Sequence, residues 1–251
     1  VWAMGEQLKC GDFVPFVFEH KFNMEVGDGD RKQLMSGTID RVDICENGTD
    51  VYVRIIDYKT GKKDFNIVKT YYGIDIQLMV YMEAAMKLVA KMRPGKNVIP
   101  AGVFYYNISD PIVSATTESA EEIEDKIKGE LRLKGMVNSD KDIAEKMDNT
   151  EGTSLNIPVS RKADGGFDSR RSKVMNTEQF NMLGRFVDVR AIDTADRIAG
   201  GDIRRSPYKD GQFSSCDRCP YGAVCGFSVD LPGCNYRKLK KFDDEVLWNN
   251  I

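Results

Sequence analysis

At 251 residues, 41% of them apolar and 30% charged, the chain can bury a sizeable core as one domain of ordinary globular composition. Nothing in it resembles a signal peptide or a membrane span, so a soluble, cytoplasmic protein is expected. The net charge of −3 excludes bulk attraction to nucleic acid; any DNA contact has to come from local basic patches set against an acidic remainder.

In chain order, Val1-Trp2-Ala3-Met4 reads as the end of a helix, and without an initiator Met the chain is expected to be a piece of a longer protein. Phe13 to Phe22 reads as a strand. On it, Glu19 is either a plain strand carboxylate or an acid standing behind a metal site. His20, the only histidine, has no Cys or Ser partner at a suggestive spacing, and a structural role is expected. Gly27-Asp28-Gly29-Asp30-Arg31-Lys32 lacks the spacing and terminal Glu of an EF-hand loop and reads as a turn.

Residues 37 to 81 organise the rest. Gly37-Thr38-Ile39-Asp40-Arg41-Val42-Asp43 and Val51-Tyr52-Val53-Arg54-Ile55-Ile56-Asp57-Tyr58-Lys59 flank the polar turn Glu46-Asn47-Gly48-Thr49-Asp50, which predicts a β-hairpin. Side chains alternate along a strand, so Asp57 and Lys59 leave the same face, and Asp40 near the end of the partner strand can reach that face too. Two carboxylates and an ammonium then converge at one sheet edge, and carboxylates with a substrate phosphate suit Mg²⁺. Asp-x-Lys alone is weak, since the same spacing occurs at Asp30 and Lys32, and taken alone a strand end entering solvent is the better reading. The apolar strand it ends, the second carboxylate at Asp40, and Gln77 and Tyr81 downstream reverse that. Asp75 to Met92 has helical apolar spacing, with Leu78, Met82, Ala85 and Val89 on one stripe, Gln77 and Tyr81 beside it, and a stop at Arg93-Pro94-Gly95. Asn97 to Ile108 is a further strand, giving an α/β core.

The chain then turns polar. Ala120 to Leu133 reads as a charged helix, and Ala163-Asp164-Gly165-Gly166-Phe167 as a hairpin turn flanked by Arg161, Lys162, Arg170, Arg171 and Lys173, a cluster that either tracks phosphates or is a solvated loop. Asn176 with Gln179 reads as a reciprocal N-cap for a helix carrying Phe180, Leu183, Val187, Ala191, Ala195 and Ile198 and ending at Gly200-Gly201. One domain is expected, with a core over about 11–113, a polar and helical insertion over about 114–175, and a helix and cysteine-rich tail over 176–251. In the tail, Cys216, Cys219 and Cys225 are three closely spaced soft ligands suited to zinc or an iron–sulfur cluster, which spacing does not separate; unliganded cysteines are the other reading. Arg237-Lys238-Leu239-Lys240-Lys241 either touches DNA or solvates the end.

Gly-x-Ile-Asp-Arg-Val-Asp at 37–43, Ile-Ile-Asp-Tyr-Lys-Thr-Gly at 55–61, Tyr71-Tyr72-Gly73 and Gln77-Leu78-x-x-Tyr81 together resemble the PD-(D/E)xK nuclease superfamily, in its RecB-like branch. With the cysteine tail, the stretch from about Gly11 to Lys241 resembles the C-terminal nuclease domain of the AddB (RexB) subunit family of helicase–nuclease complexes. The resemblance implies a restriction-endonuclease-like fold, with a central mixed sheet flanked by helices. It implies a Mg²⁺- or Mn²⁺-dependent DNA exonuclease in which Asp40, Asp57 and the Tyr58 carbonyl hold metal, Lys59 serves the attacking water, and Gln77 and Tyr81 position lysine or substrate. It further implies degradation of the 5′-ended strand during double-strand-break processing, beside an AddA-like helicase–nuclease subunit. Cys216, Cys219 and Cys225 would hold a [4Fe–4S] cluster whose fourth ligand lies upstream of Val1, so that the cluster is expected to be incomplete or absent in this chain. The alternatives are an inactive nuclease fold kept for binding DNA or a partner, and a stand-alone CRISPR-associated RecB-like exonuclease.

Overall fold

The computed structural model describes residues 2–26, 32–108, 110–114 and 119–251. The turn expected over Gly27 to Lys32, with Asp30, lies outside the described residues except for Lys32. After helix α1 (Trp2–Lys9), strand β1 (Val14–Val26) leads to the hairpin of β2 (Gln33–Asn47) and β3 (Asp50–Lys59). Asn47 pairs with Asp50 across the turn, and Gly48 supplies the left-handed residue it needs, at φ +60°. Helices α2 (Ile67–Tyr71) and α3 (Gln77–Met92) then cross over to β4 (Asn97–Asn107), which runs parallel to β3. α3 starts two residues later than its apolar pattern predicts, because Asp75 is drawn into the interior before the helix begins.

The polar stretch that follows holds more structure than its composition indicates. Helix α4 (Ala120–Glu130) is closed by a reciprocal cap between Ser119 and Glu122. It leads into β5 (Lys134–Asn138), α5 (Lys141–Met147) and β6 (Val174–Met175), and both strands join the central sheet, whose order is β1-β2-β3-β4-β5-β6. β5 comes so close to β4 that a Cβ on Gly135 would stand 1.9 Å from the Val103 carbonyl oxygen. Helix α6 (Thr177–Ala199) has the reciprocal Asn176–Gln179 cap, and Gly200 and Gly201 end it. Its stripe is buried only as far as Val187; Ile198 is exposed. The tail adds β7 (Tyr208–Asp210), β8 (Phe213–Ser214), α7 (Gly222–Cys225), β9 (Arg237–Lys238) and α8 (Asp244–Asn250). Among the described residues no helix is long and apolar enough to cross a membrane.

β3 is buried on both faces, as a strand inside a two-layered sheet must be. Val51, Val53 and Ile55 pack with Leu78, Met82, Ala85 and Val89 of α3 and with Phe180, Leu183 and Val187 of α6. Tyr52 and Ile56 pack on the other side with Phe13, Phe104, Val137, Ile143 and Met147. This second face also holds three buried charges. Arg41 forks onto Asp43, Nε to Oδ1 at 2.6 Å and Nη2 to Oδ2 at 2.7 Å, and Arg54 Nε donates to the same Oδ2 at 2.9 Å. The Arg54 guanidinium lies 5.0 Å from the centre of the Phe13 ring, and burial pulls its pKa down while Asp43 opposes the shift.

Removing the shared anion leaves two guanidiniums buried without a counter-charge. Asp43→Ala should therefore cost about 3–5 kcal/mol, a fall of roughly 10 °C or more in Tm at this chain length. Glu46→Ala, which opens the exposed pair with Arg93, should leave Tm nearly unchanged. Thermal melts of the two variants check both expectations.

Candidate active site

The β2–β3 register pairs Arg41 with Ile56, so the next step outward sets Asp40 against Asp57. Asp57 is 2% exposed. Lys59, two residues on and on the same face, holds its Nζ 2.5 Å from Asp57 Oδ2, yet no hydrogen bond of proper geometry reaches that buried oxygen. Asp40 Oδ2 accepts from the Tyr58 backbone N–H at 2.7 Å, which ties the first carboxylate to the strand that carries the second. Burial pushes the Asp57 carboxyl above its ordinary pKa; Lys59 pulls it back, and the Asp40 charge pushes it further up.

The lysine is held from the helix side. Lys59 Nζ donates to Gln77 Oε1 at 2.9 Å, and Gln77 Nε2 donates to the Tyr81 hydroxyl at 2.9 Å. Gln77 is the first residue of α3 and Tyr81 lies one turn on. The Tyr81 ring meets Phe22 of β1 edge-on at 5.8 Å. Gly37 makes room for this contact, since a Cβ there would lie 2.9 Å from Phe22 and 3.3 Å from Tyr81.

Three further groups belong to the same neighbourhood, and sequence reasoning passed over their part in it. Tyr105 of β4 is the register partner of Asp57. Its hydroxyl donates to Asp75 Oδ1 at 2.8 Å, and Lys63 Nζ lies 3.1 Å from the same oxygen. Burial, with the Asp75 carboxylate against the hydroxyl, drives the Tyr105 pKa far up, so the phenol stays protonated. Lys59 Nζ and Lys63 Nζ lie 5.6 and 4.7 Å from the Tyr105 ring centre. Asp75 reads in sequence as a helix start and Tyr105 as apolar strand content; only the β3–β4 crossover reveals their place.

Glu19 is exposed and has φ +47°, the left-handed region that a non-glycine residue rarely adopts. Phe18 pairs with Arg41 and His20 with Ile39, so Glu19 sits across from Asp40. At this point both strands exchange faces: Val17 and Phe22, like Ile39 and Val42, pack with the same apolar cluster despite an odd separation. The kink re-aims side chains beside the carboxylate pair, as irregularities next to sites do.

The other sequence candidates lie apart from this centre. Arg161 is consumed in structure, donating to the carbonyls of Thr150, Ala144 and Asp148. Cys216, Cys219 and Cys225 lie along one run of turns, with Cys219 N–H on the Cys216 carbonyl at 3.1 Å and Cys225 N–H on the Tyr221 carbonyl at 2.9 Å; all three thiols are free. Among the described residues no three His, Cys, Asp or Glu side chains gather closely enough to hold an ion, so the three thiols stand here without the convergence that a shared ligand would impose. Asp40 and Asp57 fit a different demand. Mg²⁺ and Mn²⁺ take hard oxygen donors, and Mg²⁺ binds through one or two carboxylates completed by waters and substrate phosphate; the buried Asp57 oxygen without a hydrogen bond suits a cation.

The sequence profile of the PD-(D/E)XK nuclease superfamily matches residues 1–226. Relatives include proteins named as the B subunit of an ATP-dependent helicase/deoxyribonuclease. The one from Clostridium botulinum strain Hall is 37% identical over the whole of this chain and 23% of the relative. Those of Thermoanaerobacter sp. strain X514 and Clostridium acetobutylicum are each 35% identical over the whole chain and 22% of their length. The chain thus spans a little under a quarter of these relatives.

A carboxyl whose pKa is raised by folding binds its proton more tightly in the folded chain; its stabilising contribution is present at acid pH and is lost as pH rises through the folded pKa. The ionised form of Asp57 therefore weighs against the fold. In the absence of metal, Asp57→Asn should raise Tm at pH 7, and the gain should vanish towards acid pH. Mg²⁺ or Mn²⁺ at about 100 times Kd should add about 2.7 kcal/mol to the unaltered chain and nothing comparable to the variant. Melts across pH, with and without the ion, measure both.

Proposed function

The chain belongs to the PD-(D/E)XK nuclease superfamily, and we propose that it is the metal-dependent deoxyribonuclease domain of an AddB-like helicase–nuclease subunit, an exonuclease acting on single-stranded DNA. What carries the reading is Asp57: a carboxylate buried against its own electrostatic preference, facing Asp40, with a lysine held beside it by a glutamine. Such an arrangement costs stability, and a carboxylate so placed beside a second carboxylate and a held lysine is what a site that meets charge requires.

Asp40, Asp57 and the Tyr58 backbone carbonyl would hold one or two Mg²⁺ or Mn²⁺. When bound, the ion supplies Lewis acidity, acidifying a water and offsetting the charge that grows on the phosphate. Lys59 as the ammonium has three N–H groups; Gln77 takes one and Asp57 lies beside another, leaving a third to orient the attacking water and to offset negative charge in the transition state. Deprotonating that water would fall to the neutral amine, after the ammonium has given up a proton. Gln77 and Tyr81 fix the direction of that ammonium. Tyr105, kept protonated, offers Asp57 a neutral neighbour on the next strand.

For the whole protein we propose an AddA-like helicase–nuclease partner, cleavage of the 5′-ended strand as duplex is unwound, a role in double-strand-break processing and recombinational repair, and a cytoplasmic location. The names of the relatives support the helicase and deoxyribonuclease parts of this. Cys216, Cys219 and Cys225 are proposed as three ligands of a [4Fe–4S] cluster completed by a ligand from elsewhere in the longer protein, a claim that iron and sulfide analysis decides.

The test is degradation of single-stranded DNA in Mg²⁺ or Mn²⁺. Asp40→Ala, Asp57→Ala and Lys59→Ala should each lower the rate by roughly 10⁴-fold, the scale on which members of one catalytic unit fail, with circular dichroism unchanged. Asp30→Ala should cleave normally. An inactive Asp30 variant beside an active Asp57 variant would refute the assignment.

A further inference from the structure

A cleft of about 440 Å³ is lined by Lys62, Lys63, Arg132, Lys134, Arg171 and Lys173 with two acidic residues, Asp64 and Glu130, and Lys63 also pairs with Asp75 outside the lining. In a chain of net charge −3, such a local surplus of cations stands out. Its place in the sheet is fixed by register. Lys134 of β5 pairs with Tyr105 of β4, and Tyr105 with Asp57 of β3. Residues directly opposite one another share a face, so Asp57, Tyr105 and Lys134 form a row across the sheet, with Lys134 about 10 Å from Asp57 at the usual strand spacing. Tyr105 itself is buried. Lys63, which lines the cleft, and Lys59, which stands beside Asp57, both approach its ring and are partly exposed, so these two lysines set the cleft next to the carboxylate pair.

We propose that this cleft binds the sugar–phosphate backbone of a single DNA strand, gripping the nucleotides next to the phosphate that Asp40 and Asp57 attend. The inference rests on the nuclease reading for the identity of its ligand. Its chemistry is that of the lining. Arg132 is fixed by donating to the Ile157 and Val159 carbonyls, Lys173 is anchored on Asp64 and Arg171 on Asp168, and Lys62 reaches solvent. No lining residue is aromatic, so bases find no stacking platform, and the grip is on phosphates without regard to sequence. The volume suits a ligand of drug size, as one or two nucleotides are and a duplex is not. Of the basic cluster that brackets Gly165 in sequence, Arg171 and Lys173 serve the cleft while Arg161 holds backbone carbonyls.

Binding of a fluorescent oligothymidylate to this chain, measured by anisotropy in Ca²⁺ across a salt series, tests the proposal apart from catalysis. The double variant Lys62→Glu/Lys134→Glu, and separately Arg171→Glu, should weaken binding about tenfold or more. Each should also flatten the plot of log K against log salt by about 0.7 for every phosphate that is no longer neutralised. Lys91→Glu, at the exposed end of α3, should bind as the unaltered chain does. Affinity and slope in the cleft variants equal to those of Lys91→Glu would overturn the proposal, as would an unaltered chain that does not bind the strand. A chain that binds through these residues yet cleaves no DNA would sink the nuclease reading and leave the cleft standing; one that cleaves, and binds regardless of the reversals, would sink the cleft alone.

Discussion

The site depends on the register between β2 and β3, and that register is pinned by charge. Asp43 and Arg54 face each other across the two strands, fully buried, and Arg41 forks onto the same carboxylate. A slip of one residue would send every side chain of β3 to the opposite face, separating ions whose desolvation costs several kcal/mol each. Apolar residues alone would specify this less sharply, because Val51, Tyr52, Val53, Ile55 and Ile56 give β3 two apolar faces. With Asp43 on Arg54, Asp40 has to fall across from Asp57. The buried ions on one side of the sheet thus set the geometry of the carboxylates on the other.

The second constraint is a balance of stability against chemistry. Burial weighs against the ionised form of Asp57 while Lys59 favours it, and the surrounding structure supplies what holds the carboxyl in place. β3 is clamped between an antiparallel and a parallel neighbour, α3 fills the groove above with Leu78, Met82 and Ala85, and Lys59 is steadied through Gln77 and Tyr81 down to Phe22 and Gly37. Around Tyr105 the charge changes sign along the sheet, from the carboxylates at Asp40 and Asp57 to the cations at Lys63 and Lys134. Between the two lie the partly exposed Lys59 and Lys63, both against the buried Tyr105 ring.

What the sequence makes legible follows from how local each signal is. The hairpin turn, the shared face of Asp57 and Lys59, the pairing of Gln77 with Tyr81 on one helix face, and the Asn176–Gln179 cap are set by neighbours within a few residues, and each is found in the fold. Asp75 and Tyr105 acquire their meaning only when β4 lies down parallel to β3 after a long crossover. β5 and α5 are too short for periodicity to reveal; they are made by the close approach at Gly135 and by the Asp140 side chain capping α5. The left-handed Glu19 carries no turn residue to announce it. The spacing of Cys216, Cys219 and Cys225 suggests a shared ligand, and among the described residues no group of three His, Cys, Asp or Glu side chains is placed to hold an ion.

The central claim is that Asp40 and Asp57 form one divalent-metal centre, and anomalous diffraction at the manganese edge from crystals of this chain soaked in Mn²⁺ tests it most directly. The account predicts a peak roughly 2.1 Å from carboxylate oxygens of both Asp40 and Asp57, with Lys59 still on Gln77. A peak held by other residues, or none beside a well-ordered Asp57, would contradict it.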